Sequence, residues 1–187
     1  TLEVANLEST LSLLELVQDF PQTHLIYFSS GGTLYGNSAI LPVGESAPMR
    51  PVSFYGAGKA AQELFLQILR DQGMPITILR PANAYGEGQR PFTGQGFIAT
   101  AMAAAMKNEP VLIFGKEGTV RDYLHVDDIA SGILAALDHG KSGSIFNLGS
   151  GVGLSNVQVV EAMKPLLREV GFEVRTTHAP ARPFDVQ

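Results

Sequence analysis

The apolar residues of this chain fall into two kinds of run, one with helical spacing and one short and continuous. Runs with helical spacing predict helices at 7–20, 55–72, 96–107, 127–139 and 155–170. Short continuous runs predict strands at 25–29, 76–79, 111–114 and 144–148. Because helices separate successive strands, the connections are expected to be βαβ crossovers. The pattern therefore predicts an α/β fold with a mainly parallel sheet.

Glycine and proline residues mark the breaks between these elements. Gly73 and Pro75 end the second helix, Pro110 blocks the third, and Gly140 follows the fourth. The segment 81–96 is rich in both residue types. It is the predicted crossing between a first domain and a smaller second one.

Composition and charge narrow the classes of function. Apolar residues make up 45% of the 187 positions and charged residues 17%, which is typical of a globular protein. The formal net charge is −5 with no basic stripe, so we expect neither nucleic acid nor an anionic membrane as a partner. The longest apolar run, 97–106, is too short to span a bilayer and predicts a buried helix. Cysteine is absent, which excludes disulfides and agrees with the cytoplasmic location that we expect.

The first candidate for chemistry is the pair Tyr55 and Lys59 at the start of a predicted helix. A helix advances by about 3.6 residues per turn, so a spacing of four places both side chains on one face. An ammonium beside a phenol favours the phenolate and lowers the phenol pKa. The pair therefore predicts a tyrosine that acts as a base near neutral pH. Since such pairs also arise by chance, the interpretation depends on the flanking segments.

Those segments occur in a characteristic order around the pair. They read His-Leu-Ile-Tyr-Phe-Ser-Ser at 24–30, Gly-Gly-Thr-Leu-Tyr-Gly at 31–36, Ile-Thr-Ile-Leu-Arg at 76–80, Pro-Ala-Asn-Ala-Tyr-Gly at 81–86 and Arg-Asp-Tyr-Leu-His-Val-Asp-Asp at 121–128. Together they resemble the extended short-chain dehydrogenase/reductase family, specifically its nucleotide-sugar epimerases and dehydratases. Within it the UDP-glucose 4-epimerases are the nearest match. The resemblance runs from Asn6 to Asp185.

The resemblance implies a Rossmann-like parallel sheet and a smaller mixed substrate-binding domain. Residues 1–83 would form the second half of the NAD-binding domain and 84–187 the nucleotide-sugar region, with 119–139 returning to the first domain. The family also has a strand, a glycine-rich turn and a helix that bind the NAD pyrophosphate. No such unit is present in the sequence, so we expect an N-terminally truncated member. The glycine cluster at 149–153 lacks the full spacing and is interpreted as a turn.

The resemblance assigns roles to residues around the first sheet. Tyr55 would be the catalytic base, and Lys59 would lower its pKa and bind the nicotinamide ribose. Asn6, Ser29 and Ala82 would complete the NAD site. The cofactor implied is NAD.

One catalytic position departs from the usual pattern. The family's Ser or Thr that orients the substrate hydroxyl corresponds here to Gly31, which has no side chain to donate a hydrogen bond. Thr33 or Ser30 could replace it if the glycine turn shifts the backbone. We favour Thr33. An equally good alternative is that the Thr33 hydroxyl only makes a hydrogen bond within the turn.

The nucleotide-sugar site is implied in the same way, at Asn83, Phe114, Arg121, Arg182 and Asp185. Arginine suits a diphosphate because its planar fork makes paired, charge-assisted hydrogen bonds. The family's late Arg-Pro-Gly-Asp segment reads Arg-Pro-Phe-Asp at 182–185 in this chain. Because Phe184 replaces the glycine, the position of Asp185 need not match that in the family. Phe114 would lie against the uracil ring, or belong to the core.

His125, Asp127 and Asp128 could suggest a metal site, but the spacing fits a helix start better. A carboxylate at a helix N-cap accepts backbone N–H bonds and complements the helix dipole. We therefore expect these carboxylates to cap the helix and predict no metal.

The expected function is epimerisation at C4 of UDP-glucose or UDP-galactose through a 4-keto intermediate, by a homodimer. A 4,6-dehydratase needs an acidic pair before the Tyr-Gly segment, and Gly32, Thr33 and Leu34 offer none. A reductase of small carbonyl compounds would have no use for diphosphate-binding arginines. The alternative from another class is a truncated or pseudo-enzymatic module for binding or dimerisation.

Overall fold

The computed structural model describes residues 2–139 and 143–181. Its helices are α1 Leu2–Val17, α2 Gly31–Leu34, α3 Phe54–Asp71, α4 Phe97–Met106, α5 Val126–His139 and α6 Asn156–Glu169. Its strands are β1 Leu25–Phe28, β2 Ile76–Pro81, β3 Asn83–Tyr85, β4 Val111–Phe114, β5 Val120–His125, β6 Ile145–Leu148, β7 Gly153–Ser155 and β8 Thr176–Ala179. The predicted α/β fold is confirmed.

The chain divides into two compact units. Among the described residues, 2–82, 128–139 and 143–149 form the first unit. Residues 83–127 and 150–181 form the second. The segment that returns to the first unit therefore begins after β5, whereas the sequence suggested 119–139. The physical reason is that β5 pairs with β3 and β7, which both belong to the second unit.

The first unit is built on a parallel sheet in the order β1-β2-β6. Leu25 pairs with Ile76, and Ile78 pairs with Ile145. Apolar side chains of α1 and α3 pack with those of β2 into one core: Leu14, Val17, Leu66, Leu69, Met74, Ile76 and Ile78. Since parallel strands share their direction, β1 and β2 end at the same edge of the sheet. Ser29, Ser30 and Ala82 lie at that edge.

The second unit contains two small sheets and a separate core. One sheet has the order β3-β5-β7, with β3 parallel and β7 antiparallel to β5. The other pairs β4 with β8 in parallel. The core joins α4, β4 and α6 through Ala101, Ala104, Ala105, Val111, Ile113, Val159, Val160, Met163 and Leu167. Ala101, Ala104 and Ala105 are buried, but Met102 and Met106 are exposed, so α4 is buried along one face and the prediction of a buried helix holds only in part. None of the helices in the described ranges combines the length and the apolar character of a membrane span.

Differences from the predicted elements have local causes. α1 ends at Val17, not at Phe20, because Pro21 disfavours helical backbone at the preceding residue and Phe20 instead donates to the Val17 carbonyl in a turn. The sequence missed α2, β3, β5, β7 and β8. These elements are short, and β8 reads Thr-Thr-His-Ala, without an apolar alternation that would mark a strand.

Candidate active site

The segment after β1 carries three hydroxyl groups to the end of the sheet. Ser30 precedes α2 with an extended backbone, and its side chain does not cap that helix. Ser29 Oγ and Thr33 Oγ1 are buried and have no hydrogen-bond partner. Buried polar groups are normally paired, so these two hydroxyls indicate a place where a ligand could supply the missing partner.

Gly31 is required by a close approach between α2 and the end of β2. A Cβ at this position would lie 2.8 Å from the Arg80 carbonyl oxygen. On the other side, a Cβ at Gly56 would lie 2.7 Å from the Thr33 carbonyl oxygen, so α3 also packs tightly on α2. The missing Ser or Thr at position 31 therefore has a steric cause.

Replacing Gly31 by Ser, which would restore the common family residue, is expected to destabilise the first unit by about 1–3 kcal/mol through overpacking. The matched control is Gly44→Ser, because a Cβ at Gly44 meets nothing within 4 Å. Urea unfolding of both variants measures the difference. Equal stability of the two variants would refute the steric explanation.

Tyr55 and Lys59 lie where the helix start places them. Ser53 caps α3, and its hydroxyl accepts the Gly56 N–H at 3.1 Å. Tyr55 therefore stands in the first turn, where 41% of it is exposed. Tyr55 and Lys59 line one shallow cleft with Asn6, Gly58 and Gln62. The shared face predicted from the spacing of four is confirmed.

In the structure the pKa of Tyr55 is raised, whereas the spacing to Lys59 suggested that it would be lowered. Burial raises the pKa of Tyr55, and a hydrogen bond with the Ser30 side chain lowers it in part. The Lys59 ammonium instead donates to Tyr27 Oη at 3.3 Å and to the Phe28 carbonyl at 3.0 Å. Burial also lowers the pKa of Lys59, while the negative charge of Glu63 raises it. The cation is therefore engaged by β1 and not by the Tyr55 phenol.

The hydroxyl that contacts Tyr55 belongs to Ser30. Thr33, which the sequence favoured, has a buried hydroxyl that makes no hydrogen bond. Asn6 lies on α1, and its carbonyl accepts from Gln62 Nε2 at 3.1 Å. The Ala82 N–H donates to the Leu148 carbonyl at 2.7 Å and so belongs to the sheet.

The proposed nucleotide-sugar residues that are described lie in the second unit. Asn83 begins β3 and pairs with Tyr123 of the neighbouring strand β5, which also carries Arg121. The Arg121 guanidinium donates to the Val120 carbonyl at 2.6 Å. Phe114 ends β4 and belongs to the other sheet. Arg182 and Asp185 lie outside the described residues.

Two sequence interpretations in the second unit have clear outcomes. The glycine cluster forms a turn as predicted: the N–H groups of Ser150 and Gly151 both donate to the Asp122 carboxylate at 2.9 Å. The predicted carboxylate cap is wrong, because α5 begins at Val126 and the Asp127 N–H donates to His125 Nδ1.

Over the described residues, no group of three His, Cys, Asp or Glu side chains could hold a metal ion.

Sequence reasoning missed a buried polar network behind the site. Arg80 and Glu63 form an ion pair at 2.6 Å, and their side chains are only 4% and 3% exposed. Arg80 also donates to Tyr35 Oη at 2.6 Å, and Tyr35 Oη donates to Asn147 Oδ1 at 2.7 Å. The sequence feature that could have revealed this network is Arg80 at the end of an apolar strand, because a buried arginine requires a partner.

The first unit has groups that suit the ribose part of NAD. Two buried hydroxyls without partners, at Ser29 and Thr33, lie in the segment that follows β1. The Tyr55 phenol and the Lys59 ammonium line a cleft at the helix that packs on this segment. Hydroxyl groups and an ammonium are suitable partners for the ribose hydroxyls of a dinucleotide. The residues present therefore fit the ribose part of this cofactor.

Comparison with known proteins relates this chain to one family of enzymes. Residues 1–149 match the NAD dependent epimerase/dehydratase family. A putative UDP-glucose 4-epimerase of Methanocaldococcus jannaschii is 32% identical, over 97% of this chain and 58% of the relative. The UDP-glucose 4-epimerase of Thermotoga maritima, solved with UDP-glucose, is 33% identical with a TM-score of 0.87, over 95% and 57% of the two chains. The dTDP-glucose 4,6-dehydratase of Bacillus anthracis, solved with NAD, is 27% identical with a TM-score of 0.83, over 94% and 55%.

The chain thus spans somewhat more than half the length of these relatives. The family match covers most of the chain and agrees with the parallel sheet and the Tyr55–Lys59 helix. The resemblance read from the sequence motifs, to the NAD-dependent epimerases and dehydratases with a Rossmann-like fold, is confirmed. The chain belongs to the NAD-dependent epimerase/dehydratase family.

Proposed function

We propose that this chain carries the catalytic residues of an NAD-dependent nucleotide-sugar epimerase that acts at C4 of UDP-glucose or UDP-galactose. The observation that carries the proposal is the grouping of Tyr55, Ser30 and Lys59, with two buried hydroxyls that lack partners, at the end of the parallel sheet. The similarity to UDP-glucose 4-epimerases supports the choice of substrate.

In this proposal Tyr55 takes the proton of the C4 hydroxyl and later returns it to the same oxygen. When bound, NAD would supply the acceptor for the hydride of C4 and then the donor that returns it to the opposite face. Ser30 orients the phenol through its hydrogen bond to Tyr55. Lys59 provides a positive charge within the same cleft. The chain's own contribution is therefore a positioned proton acceptor whose proton is recovered at the end of each cycle.

The nucleotide diphosphate would bind to Arg121 and Asn83, with Phe114 against the base and Arg182 and Asp185 completing the site. Arg121 and Asn83 stand on adjacent parallel strands, so both can reach one ligand. A 4,6-dehydratase, although represented among similar structures, would require an acidic pair where this chain has Gly32, Thr33 and Leu34. The epimerase proposal does not need that pair.

Titration calorimetry of this chain with UDP tests the proposed nucleotide site. We expect UDP to bind and Arg121→Met to weaken it by about tenfold or more, because a hydrogen bond to a charged group contributes about 1.5–3 kcal/mol. The matched control is Arg175→Met, which removes an exposed arginine of the same unit. If UDP does not bind, or if both variants bind it equally, the nucleotide-sugar site is wrong.

We further propose that the protein forms a homodimer through α1 and α3. Both helices expose apolar side chains, which are Leu13, Leu16, Leu64, Phe65 and Ile68. An apolar surface of this kind marks an interaction site. Ile68→Asp is expected to convert the dimer to a monomer in sedimentation equilibrium, whereas Leu134→Asp, on the exposed face of α5, is expected to leave it intact. A monomeric parent chain would rule out this interface.

A further inference from the structure

We propose that Asn156, the first residue of α6, is a positioning residue that holds the backbone around Arg121 in the orientation that binds the nucleotide diphosphate. The inference rests on the proposed function for the role of Arg121. Asn156 is only 8% exposed. It lies outside the motif segments at 24–36, 76–86 and 121–128. Because a buried amide needs hydrogen-bond partners, the position of those partners shows what the residue holds.

The side chain of Asn156 contacts the chain on both sides of Arg121. Asn156 Oδ1 accepts the Thr119 N–H at 2.9 Å and the Thr119 hydroxyl at 3.2 Å. Asn156 Nδ2 donates to Tyr123 Oη at 3.3 Å. Thr119 and Tyr123 lie two residues before and two residues after Arg121. One buried amide therefore holds both ends of the segment 119–123, which is centred on Arg121.

The orientation of the Asn156 amide follows from its backbone partner. The Thr119 N–H can only donate, so the atom that faces it must be the acceptor Oδ1. Nδ2 then faces Tyr123 and donates to the phenol oxygen. Burial raises the pKa of Tyr123, while the Arg121 charge and the Asn156 hydrogen bond lower it in part. The phenol therefore stays neutral near pH 7 and lies close enough to Arg121 for the two groups to interact.

The turn before Arg121 is packed tightly against Asn156. Gly118 has a φ of +75°, and a Cβ at this position would overlap the Asn156 side chain. The Val157 N–H, in the first turn of α6, donates to the Glu117 carbonyl at 3.2 Å. The start of α6 thus holds this turn through both side-chain and backbone hydrogen bonds.

The same strand segment supports both residues proposed to bind the diphosphate. Tyr123 pairs with Asn83 of the neighbouring strand β3. The Arg121 guanidinium donates to the Val120 carbonyl, so its direction depends on the backbone of β5. Paired hydrogen bonds to a phosphate require a correctly oriented guanidinium plane. Loss of the Asn156 amide is therefore expected to weaken the binding that Arg121 provides.

The test is titration calorimetry with UDP and the variant Asn156→Leu, which keeps the size of the side chain and removes its polar atoms. We expect UDP to bind about fivefold more weakly, because residues of one hydrogen-bond network are commonly coupled by such a factor. The matched control is Gln158→Leu, since the Gln158 amide lies in the same turn of α6 and accepts the Ser155 N–H within the capping box. The control is expected to bind UDP as the parent does. Equal affinities of the parent and Asn156→Leu would overturn the proposal.

A double-mutant cycle separates the positioning of Arg121 from general damage to the second unit. In the Arg121→Met background the Asn156 amide has no guanidinium to orient. Adding Asn156→Leu to that background should therefore change the affinity for UDP by less than about twofold. A purely structural loss would weaken binding by the same factor in both backgrounds, and that result refutes the proposal.

Nitrogen-15 relaxation of the backbone amides gives a readout that does not depend on UDP. Asn156→Leu is expected to increase the ps–ns motion of the amides at 117–121 and to leave the amides of α4 as in the parent. Unchanged order at 117–121 would rule out the proposal. If the parent does not bind UDP, the proposed nucleotide site is wrong, whereas the relaxation data still decide whether Asn156 holds this segment.

A milder variant, Thr119→Val, tests the same contact if Asn156→Leu fails to fold. It keeps the Thr119 N–H and the shape of the side chain and removes the hydroxyl that donates to Asn156. We expect UDP to bind about twofold more weakly, because one of the two bonds to Asn156 Oδ1 remains. Parent-like affinity together with parent-like order at 117–121 in this variant would contradict the proposal.

Discussion

Tyr55→Phe is expected to reduce the turnover of UDP-galactose by about 10²–10⁴-fold, the usual contribution of a positioned acid–base group. The substitution removes the phenol oxygen that would accept the C4 proton and keeps the ring that lines the cleft. KM is therefore expected to change little compared with kcat. The measurement is the steady-state epimerisation rate of the complete reading frame that encodes this chain.

Tyr85→Phe is the control for that assay, because it removes a phenol hydroxyl of the second unit and keeps the ring that packs edge-on against Tyr123 and His125. Ser30→Ala adds a graded test, since it deletes the hydrogen bond to Tyr55 but leaves the phenol in place. Its rate is expected to fall between those of the parent and of Tyr55→Phe. Full turnover by Tyr55→Phe would show that another group accepts the proton.

Glu63→Gln is expected to destabilise the first unit by about 3–5 kcal/mol, the usual result of breaking one side of a buried ion pair. Glu63 accepts three contacts from the Arg80 guanidinium, at 2.6, 3.0 and 3.2 Å. A neutral glutamine would leave the Arg80 charge uncompensated in a site that water does not reach. Chemical unfolding followed by circular dichroism measures the loss.

The comparison for that experiment is Asp71→Asn in the same helix. Asp71 pairs with Arg70 at 3.9 Å, but 70% of its side chain is exposed. Exposed pairs contribute about 0–1 kcal/mol, so we expect little change. If Glu63→Gln cost no more than Asp71→Asn, the buried network would not stabilise the end of the sheet as we infer.

The long elements of the fold could be predicted because their apolar spacing is unambiguous. The helix at 54–71 and the strands at 25–28 and 111–114 were found within about two residues, the ordinary uncertainty of helix and strand ends. The second unit was harder, since β5 carries Arg, Asp, Tyr and His on a strand of mixed burial. Such a strand is defined by its partners β3 and β7, which the local pattern does not reveal.

The candidate site shows the same division between local and tertiary information. The spacing of Tyr55 and Lys59 determines their shared face, because it depends only on helix geometry. The partner of Lys59 depends on β1, which lies about thirty residues earlier in the chain, so the helix spacing could not reveal the hydrogen bond to Tyr27. The choice between Thr33 and Ser30 likewise depends on how closely Gly31 approaches the Arg80 carbonyl.

The most direct test of the central proposal uses UDP-galactose that carries deuterium at C4, with the complete reading frame that encodes this chain. If Tyr55 removes only the hydroxyl proton and the C4 hydride is returned within the site, deuterium stays on C4 of the UDP-glucose product. Mass spectrometry and proton NMR of the product measure this retention. The predicted result is full retention of deuterium in the product of the parent enzyme. Tyr55→Phe is predicted to form little product. Replacement of the deuterium by solvent hydrogen would contradict the account.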